Sequence, residues 1–437
     1  MAAPARAGSD VKSPSLNAKA QRIIRSYLAL TGLFNGALAL IWGVNTLFLL
    51  KAGLDIFHVM LVNAAFSFAE FVFEVPTGVV ADTLGRRVSL LFCLITLLGA
   101  TLAYVACPVL HLGFWSFVLV SVTLGLGFTF WSGAAEAWLV DALKHVGYDR
   151  PIESVFARSQ VAYGVAMLVG TTVGGLLGQL DLRVPYLVRA VLLVPIIVIA
   201  WTQVEELGYE RRALHLATLP DEMKAVFVAG VRHGLRHPVV RPLIFAAAVA
   251  NTFMMFGFYS WQRYFLDLLG KEAVWANGVI AALVGAASIA GNLAMSRVAT
   301  IMKTRTGVLM AAVTVRMVTI MLAGMATSFT AAVGLYLVAN FVGGIASPIR
   351  QGLINHHIPS AQRATILSVD SLFSELGSGV GQSGWGYLAR RSGIGRAWVA
   401  GGAFVVLGIP LLALARRADP ESDRFGAPAP ATPAVDA

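Results

Sequence analysis

Long apolar runs recur along almost the whole chain, and each is long enough to cross a bilayer as a helix. A helix needs about 20 apolar residues to span the hydrocarbon core. Six runs lie near 26–50, 57–79, 88–107, 113–139, 155–179 and 184–203. Six more lie near 241–266, 273–296, 307–327, 330–354, 364–389 and 396–416. In lipid the backbone must satisfy its own hydrogen bonds, which a helix does within one segment. The expectation is an all-α membrane protein of twelve transmembrane helices. Charge supports it. Only 13% of the 437 residues are charged, whereas a soluble chain carries about 25%. The missing charge implies that lipid, not water, covers most of the outside.

The formal charge of +10 is not spread evenly. Basic residues gather in alternate loops: Arg86 and Arg87, then Lys144, Arg150 and Arg158, then Arg211 to Arg241, then Arg297, Lys303 and Arg305. This is the positive-inside pattern, so those loops and both termini are expected in the cytoplasm of a bacterial inner membrane. It also removes the reason to invoke nucleic acid. Arg390, Arg391 and Arg396, before the last span, are the discordant group. The organisation expected is a tail over 1–25, a bundle over 26–203, a linker over 204–240, a second bundle over 241–416 and a disordered tail over 417–437. Within the linker, Thr218-Leu-Pro-Asp221 reads as a helix start, opening an amphipathic helix on the membrane surface. The first apolar run is too long for a signal-peptide core and is expected to be retained. Cys93 and Cys107 share one span, about 21 Å apart along it, beyond disulfide reach.

After the second span comes Gly78-Val-Val-Ala-Asp82-Thr-Leu-Gly85-Arg86-Arg87. It resembles the loop 2–3 signature of the major facilitator superfamily, with Thr83 where the family usually has a basic residue. The resemblance implies two pseudo-symmetric six-helix bundles around a cavity, working by alternating access. Faint internal repetition agrees: Arg158, Gly170 and Gly174 in span five match Arg363, Glu375 and Gly379 in span eleven by offset. The resemblance places Asp82 against the start of span eleven. Gly78 and Gly85 suit close approach and a tight turn. Arg86 and Arg87 are expected to pair with Asp141 or Glu136, forming a gating latch. Gly170-Thr-Thr-Val-Gly174-Gly175 is similar to a core associated with antiporters of this superfamily, although small residues at this spacing also simply let helices pack.

Charges within the hydrocarbon need a partner or a role. Glu70 and Glu74 lie on one face of span two, and Asp370 and Glu375 on span eleven. A carboxyl that deep resists carrying charge, so access to water on one side lets it take up or release a proton. Glu70 and Glu375 lead the proton-coupling candidates, followed by Glu74, Glu136 and Asp370. The bland alternative is a structural ion pair with Arg158, Arg350 or Arg363. Arg316, in span nine outside the expected cavity, has no evident role. Cavity candidates are Asn35, Trp42 and Asn45 on span one, Gln160 and Tyr163 on span five, Asn251, Tyr259 and Trp261 on span seven, and Asn340 on span ten. Aromatic walls with a few polar groups suit amphipathic organic molecules, and equally suit packing.

The chain carries no phosphate-binding loop, no metal-ligand spacing and no nucleophile elbow, so no cofactor, metal or catalytic chemistry is expected. The reading is a monomeric secondary transporter exporting a small organic molecule in exchange for protons. The alternative is a symporter or facilitator importing a nutrient. A membrane sensor without flux is the remote third reading.

Overall fold

The computed structural model describes residues 14–208, 234–270, 273–358 and 363–426. The apolar runs fold as helices. The first span is α1 (Pro14–Trp42) and a short α2 (Asn45–Lys51), broken at Gly43 and Val44. Spans two and three are α3 (Ile56–Leu84) and α4 (Arg86–Val109). Span four is α5 (Phe114–Thr129) and α6 (Ala134–His145), joined through Gly133 at φ 69°. Next come α7 (Glu153–Leu180) and α8 (Val184–Gln203). The second half holds α9 (Val240–Leu269), α10 (Val274–Ile301), α11 (Arg305–Met325), α12 (Phe329–His357) and α13 (Arg363–Ser392). Its last span is α14 (Ile394–Val405) and α15 (Gly408–Ala418).

Among the described residues, 11 helices are long and apolar enough to cross a membrane. The expected span that falls outside this set is α13, whose 30 residues include Asp370, Glu375 and Gln382. Its polarity has a structural reason. It packs between α9 and α3, at the meeting of the two halves, so protein rather than lipid receives its polar face.

Three expected boundaries move. The tail over 1–25 is helical from Pro14. Within the tail over 417–437, residues 417–426 fold back, with Asp423 bonded to Thr306 and Ser422 to His357 of the second bundle. The linker is described over 204–208 and 234–240, and its expected amphipathic helix from Thr218 lies outside the described residues.

Packing repeats between the halves. The pairs α1 with α7, α3 with α5 and α4 with α8 correspond to α9 with α13, α10 with α12, and α11 with α14 and α15. Across the seam α7 packs on α10, α13 on α3, and α2 on α9. Gly175 lies so close to Gly278 that a Cβ would meet its backbone at 2.6 Å. Hydrogen bonds, an ion pair and ring contacts cross the seam in the half away from the chain termini, here called the distal half.

Candidate functional site

The seam between α3 and α13 is built outward-in from three contacts. At the distal end Arg390 Nε reaches Asp55 Oδ2 at 3.1 Å. One turn in, Phe57 and Tyr387 meet edge to face, with ring centroids 5.9 Å apart. Next, Gly386 lies against Met60, where a Cβ would come within 3.0 Å. Asp55 also caps α3, accepting from the His58 amide at 2.9 Å. Its partial burial favours the neutral acid, but the His58 amide and ring and Arg390 outweigh that and hold it below the usual carboxylate range.

Continuing this antiparallel register along the two helices places Asn63 level with Gln382, Ser67 level with Ser378, and Glu70 level with Glu375. The charge of Glu375 acts on Glu70 across the seam, and Tyr259 of α9 lies in the field of both. No Lys or Arg is among the charges acting on either carboxyl within the described residues. Glu375 Oε2 is buried without a hydrogen-bond partner there. The two leading candidates thus meet as an unneutralised pair at mid-depth.

The other acids have different company. Asp370, 9% exposed, is ion-paired to Arg350, which is the bland alternative for that residue. Glu74 accepts from the Ser132 hydroxyl at 2.6 Å. Glu136 is exposed in the first turn of α6.

The signature loop is held by a residue that the motif does not contain. Glu206, just past α8, accepts from the backbone amides of Arg86 at 3.3 Å and Arg87 at 2.7 Å, capping α4. Gly85 at φ 112° and ψ 157° makes room, since a Cβ there would meet Glu206 Oε1 at 2.5 Å. Few residues but glycine adopt that backbone. Arg86 pairs with Asp82 at 2.6 Å, and the Arg87 guanidinium lies 4.6 Å from the Trp201 ring centre. The backbone carbonyl of Asp141 lies beside Gly208. Gly78 has open space beside it.

Among the cavity candidates, Tyr259 lies in the field of both carboxyls. Trp42 closes the distal seam, edge-on to Phe258, and its carbonyl accepts from Gln262 Nε2 at 2.8 Å. Asn45 is structural: it donates to Asn63 and accepts from the Tyr186 hydroxyl. Trp261, 2% exposed, packs with Phe265 and Tyr336 inside the second bundle rather than on a cavity wall. Asn35, Asn251 and Asn340 each donate to their own helix one turn back. Gln160 and Tyr163 are exposed on α7. Gly170 and Gly174 pack against Ala39 and Leu40 of α1, and Gly175 against α10, so this stretch serves close packing. Arg316 lies over Gly343, near Tyr336. Gln382 was missed by sequence reasoning. It is uncharged and in no motif, and its one signal is its spacing of seven residues from Glu375.

Comparison with known proteins fits this architecture. Over 138 residues the chain is 31% identical to the tetracycline resistance protein, class C, of Escherichia coli, a stretch covering 31% of this chain and 32% of that relative. The match therefore spans about a third of the relative's length. Two crystal structures of nucleoside transporter NupG superpose with TM-scores of 0.72 and 0.71 at 14% and 12% identity, over 90% of this chain and 99% and 98% of those chains. A D-xylose-proton symporter superposes with a TM-score of 0.64 at 14% identity, over 90% and 96% of the two chains. The Major Facilitator Superfamily model matches residues 27–382. The chain is a multi-pass membrane protein belonging to the Major Facilitator Superfamily, a class of transporters rather than enzymes.

Proposed function

We propose that this chain is a secondary-active transporter that takes up a small organic nutrient together with protons, by alternating access. The observation that carries it is the facing pair Glu70 and Glu375, without a cationic partner among the described residues. Two charged carboxylates so placed repel, and a proton held between them removes the repulsion. Closing the distal half of the seam brings them together, so a proton is taken up as the distal side shuts. With the termini in the cytoplasm, as the basic loops lead one to expect, the distal contacts belong to the outer side, and the opening is assigned to the cytoplasmic side. Water entering from the cytoplasm then lets the pair ionise and release the proton. Substrate arriving with the proton leaves by the same opening.

Uptake replaces the export read from the sequence because solved relatives of this fold include a nucleoside transporter and a D-xylose-proton symporter. Export is the second reading, favoured by the match to a tetracycline resistance protein. The chain is proposed to act as a monomer in a bacterial cytoplasmic membrane.

The test uses proteoliposomes containing a pH dye, with nucleosides, sugars and amphipathic amines added outside in turn. Symport acidifies the interior when the right substrate is added. Exchange against protons makes it alkaline, which would establish export. Glu375→Gln and Glu70→Gln are expected to abolish the pH change. Either variant keeping full coupling removes that residue from the proton path.

A further inference from the structure

We infer that Gln382 sets the balance between the closed and open states of the distal seam. The inference rests on alternating access, and on neither the coupling ion nor the direction. Gln382 is fully buried, at 0% exposure, and neither its Nε2 nor its Oε1 has a hydrogen-bond partner among the described residues. Its position on α13 is one turn from Gly386, which touches Met60, and two turns from Glu375. Asn63, level with it on α3, is already committed. Its Nδ2 donates to the Val59 carbonyl at 2.9 Å and its Oδ1 accepts from Asn45 at 3.0 Å.

An amide has two donors and an acceptor to satisfy, and burying it unmet is unfavourable. Closing the seam therefore strands Gln382, whereas opening it returns the amide to water. Gln382 acts as a spring against the latch formed by Asp55 and Arg390. The neighbouring seam repeats the device in weaker form. Asn277 of α10, at 0% exposure and packed against Gly43, donates to the Gln262 carbonyl at 3.0 Å but leaves its Oδ1 unmet.

The test reads the open fraction directly. Ser67, 5% exposed and level with Ser378, becomes a reporter as Ser67→Cys, labelled from the distal side by a membrane-impermeant maleimide. The native thiols Cys93 and Cys107 are buried, and the chain without the reporter gives their background. Gln382→Met keeps the side-chain volume but removes the amide. It is expected to slow labelling by about 5- to 100-fold, the equilibrium equivalent of one unpaired buried polar group. Gln382→Leu is expected to act in the same direction, and Asp55→Asn in the opposite one. Labelling by the Met and Leu variants as fast as the parent, with each eluting as a single folded species, overturns the inference. Should only one of the two be recovered folded, its labelling rate alone decides.

Discussion

In the first half the amides that open α4 are capped by Glu206, an exposed carboxylate just past α8. In the second half the amide that opens the corresponding α11 is capped by Asp423, a carboxylate just past α15 and only 2% exposed. Asp423 also accepts from the Thr306 hydroxyl at 2.5 Å, and Arg416 stands 3.8 Å away. Around it Arg305 donates to the Ser422 carbonyl at 2.6 Å, and His357 Nε2 lies 2.8 Å from the Ser422 hydroxyl. The halves thus share a device, an acid after the sixth span fastening the start of the third, but differ in burial. An exposed cap exchanges readily with water. A buried one, if lost, strands its partners. The difference teaches that one cap can be an exposed, exchangeable contact in one half and part of a buried network in the other.

Substitutions can break or sharpen that contrast. Gly85→Ala should have the largest effect, because it forces a disfavoured backbone and drives a methyl into Glu206. The expected cost is about 3 kcal/mol, seen as a lower melting temperature in detergent. Asp423→Ala comes next, at about 2 kcal/mol, since Thr306 loses two bonds in a buried place. Glu206→Ala should cost only about 1 kcal/mol, the ordinary value of a helix cap. Equal melting temperatures for the last two variants would erase the proposed asymmetry.

The smallest effect is a pH dependence confined to the second half. The Ser422 side chain, aided by the Ser422 amide and by His357, holds Asp419 below its ordinary value of 3.8 despite partial burial. A depressed carboxyl adds stability above the unfolded value that is lost as pH falls through the folded one. Acid titration below about pH 4 should therefore loosen the hook around Asp419, with Asp419→Asn removing the effect. A midpoint unchanged by that substitution would assign the acid sensitivity elsewhere.

The spans and the two-bundle plan were legible because lipid imposes length and apolarity on every helix, and Gly85 because a tight turn before a helix asks for glycine. Asp370 misled because a buried carboxyl on a central helix looks the same in sequence whether or not an Arg350 lies beside it. Trp261 misled because an aromatic at helical spacing does not declare which face meets its own bundle. The ordered hook was hidden by the Pro/Ala-rich stretch that follows it. Glu206 and Gln382 escaped because their importance lies in what they face, across 119 residues of chain in one case.

The meeting of Gly175 and Gly278, backbone against backbone, has a mechanical consequence. With no side chains interposed there, nothing must unlock or repack when one bundle tilts against the other. In a rocking motion such a contact near the distal end would serve as the fulcrum, with the helices beyond it as unequal lever arms. A small rotation there is magnified at the far ends of α7 and α10. A single methyl at either glycine would jam the pivot while leaving both bundles folded.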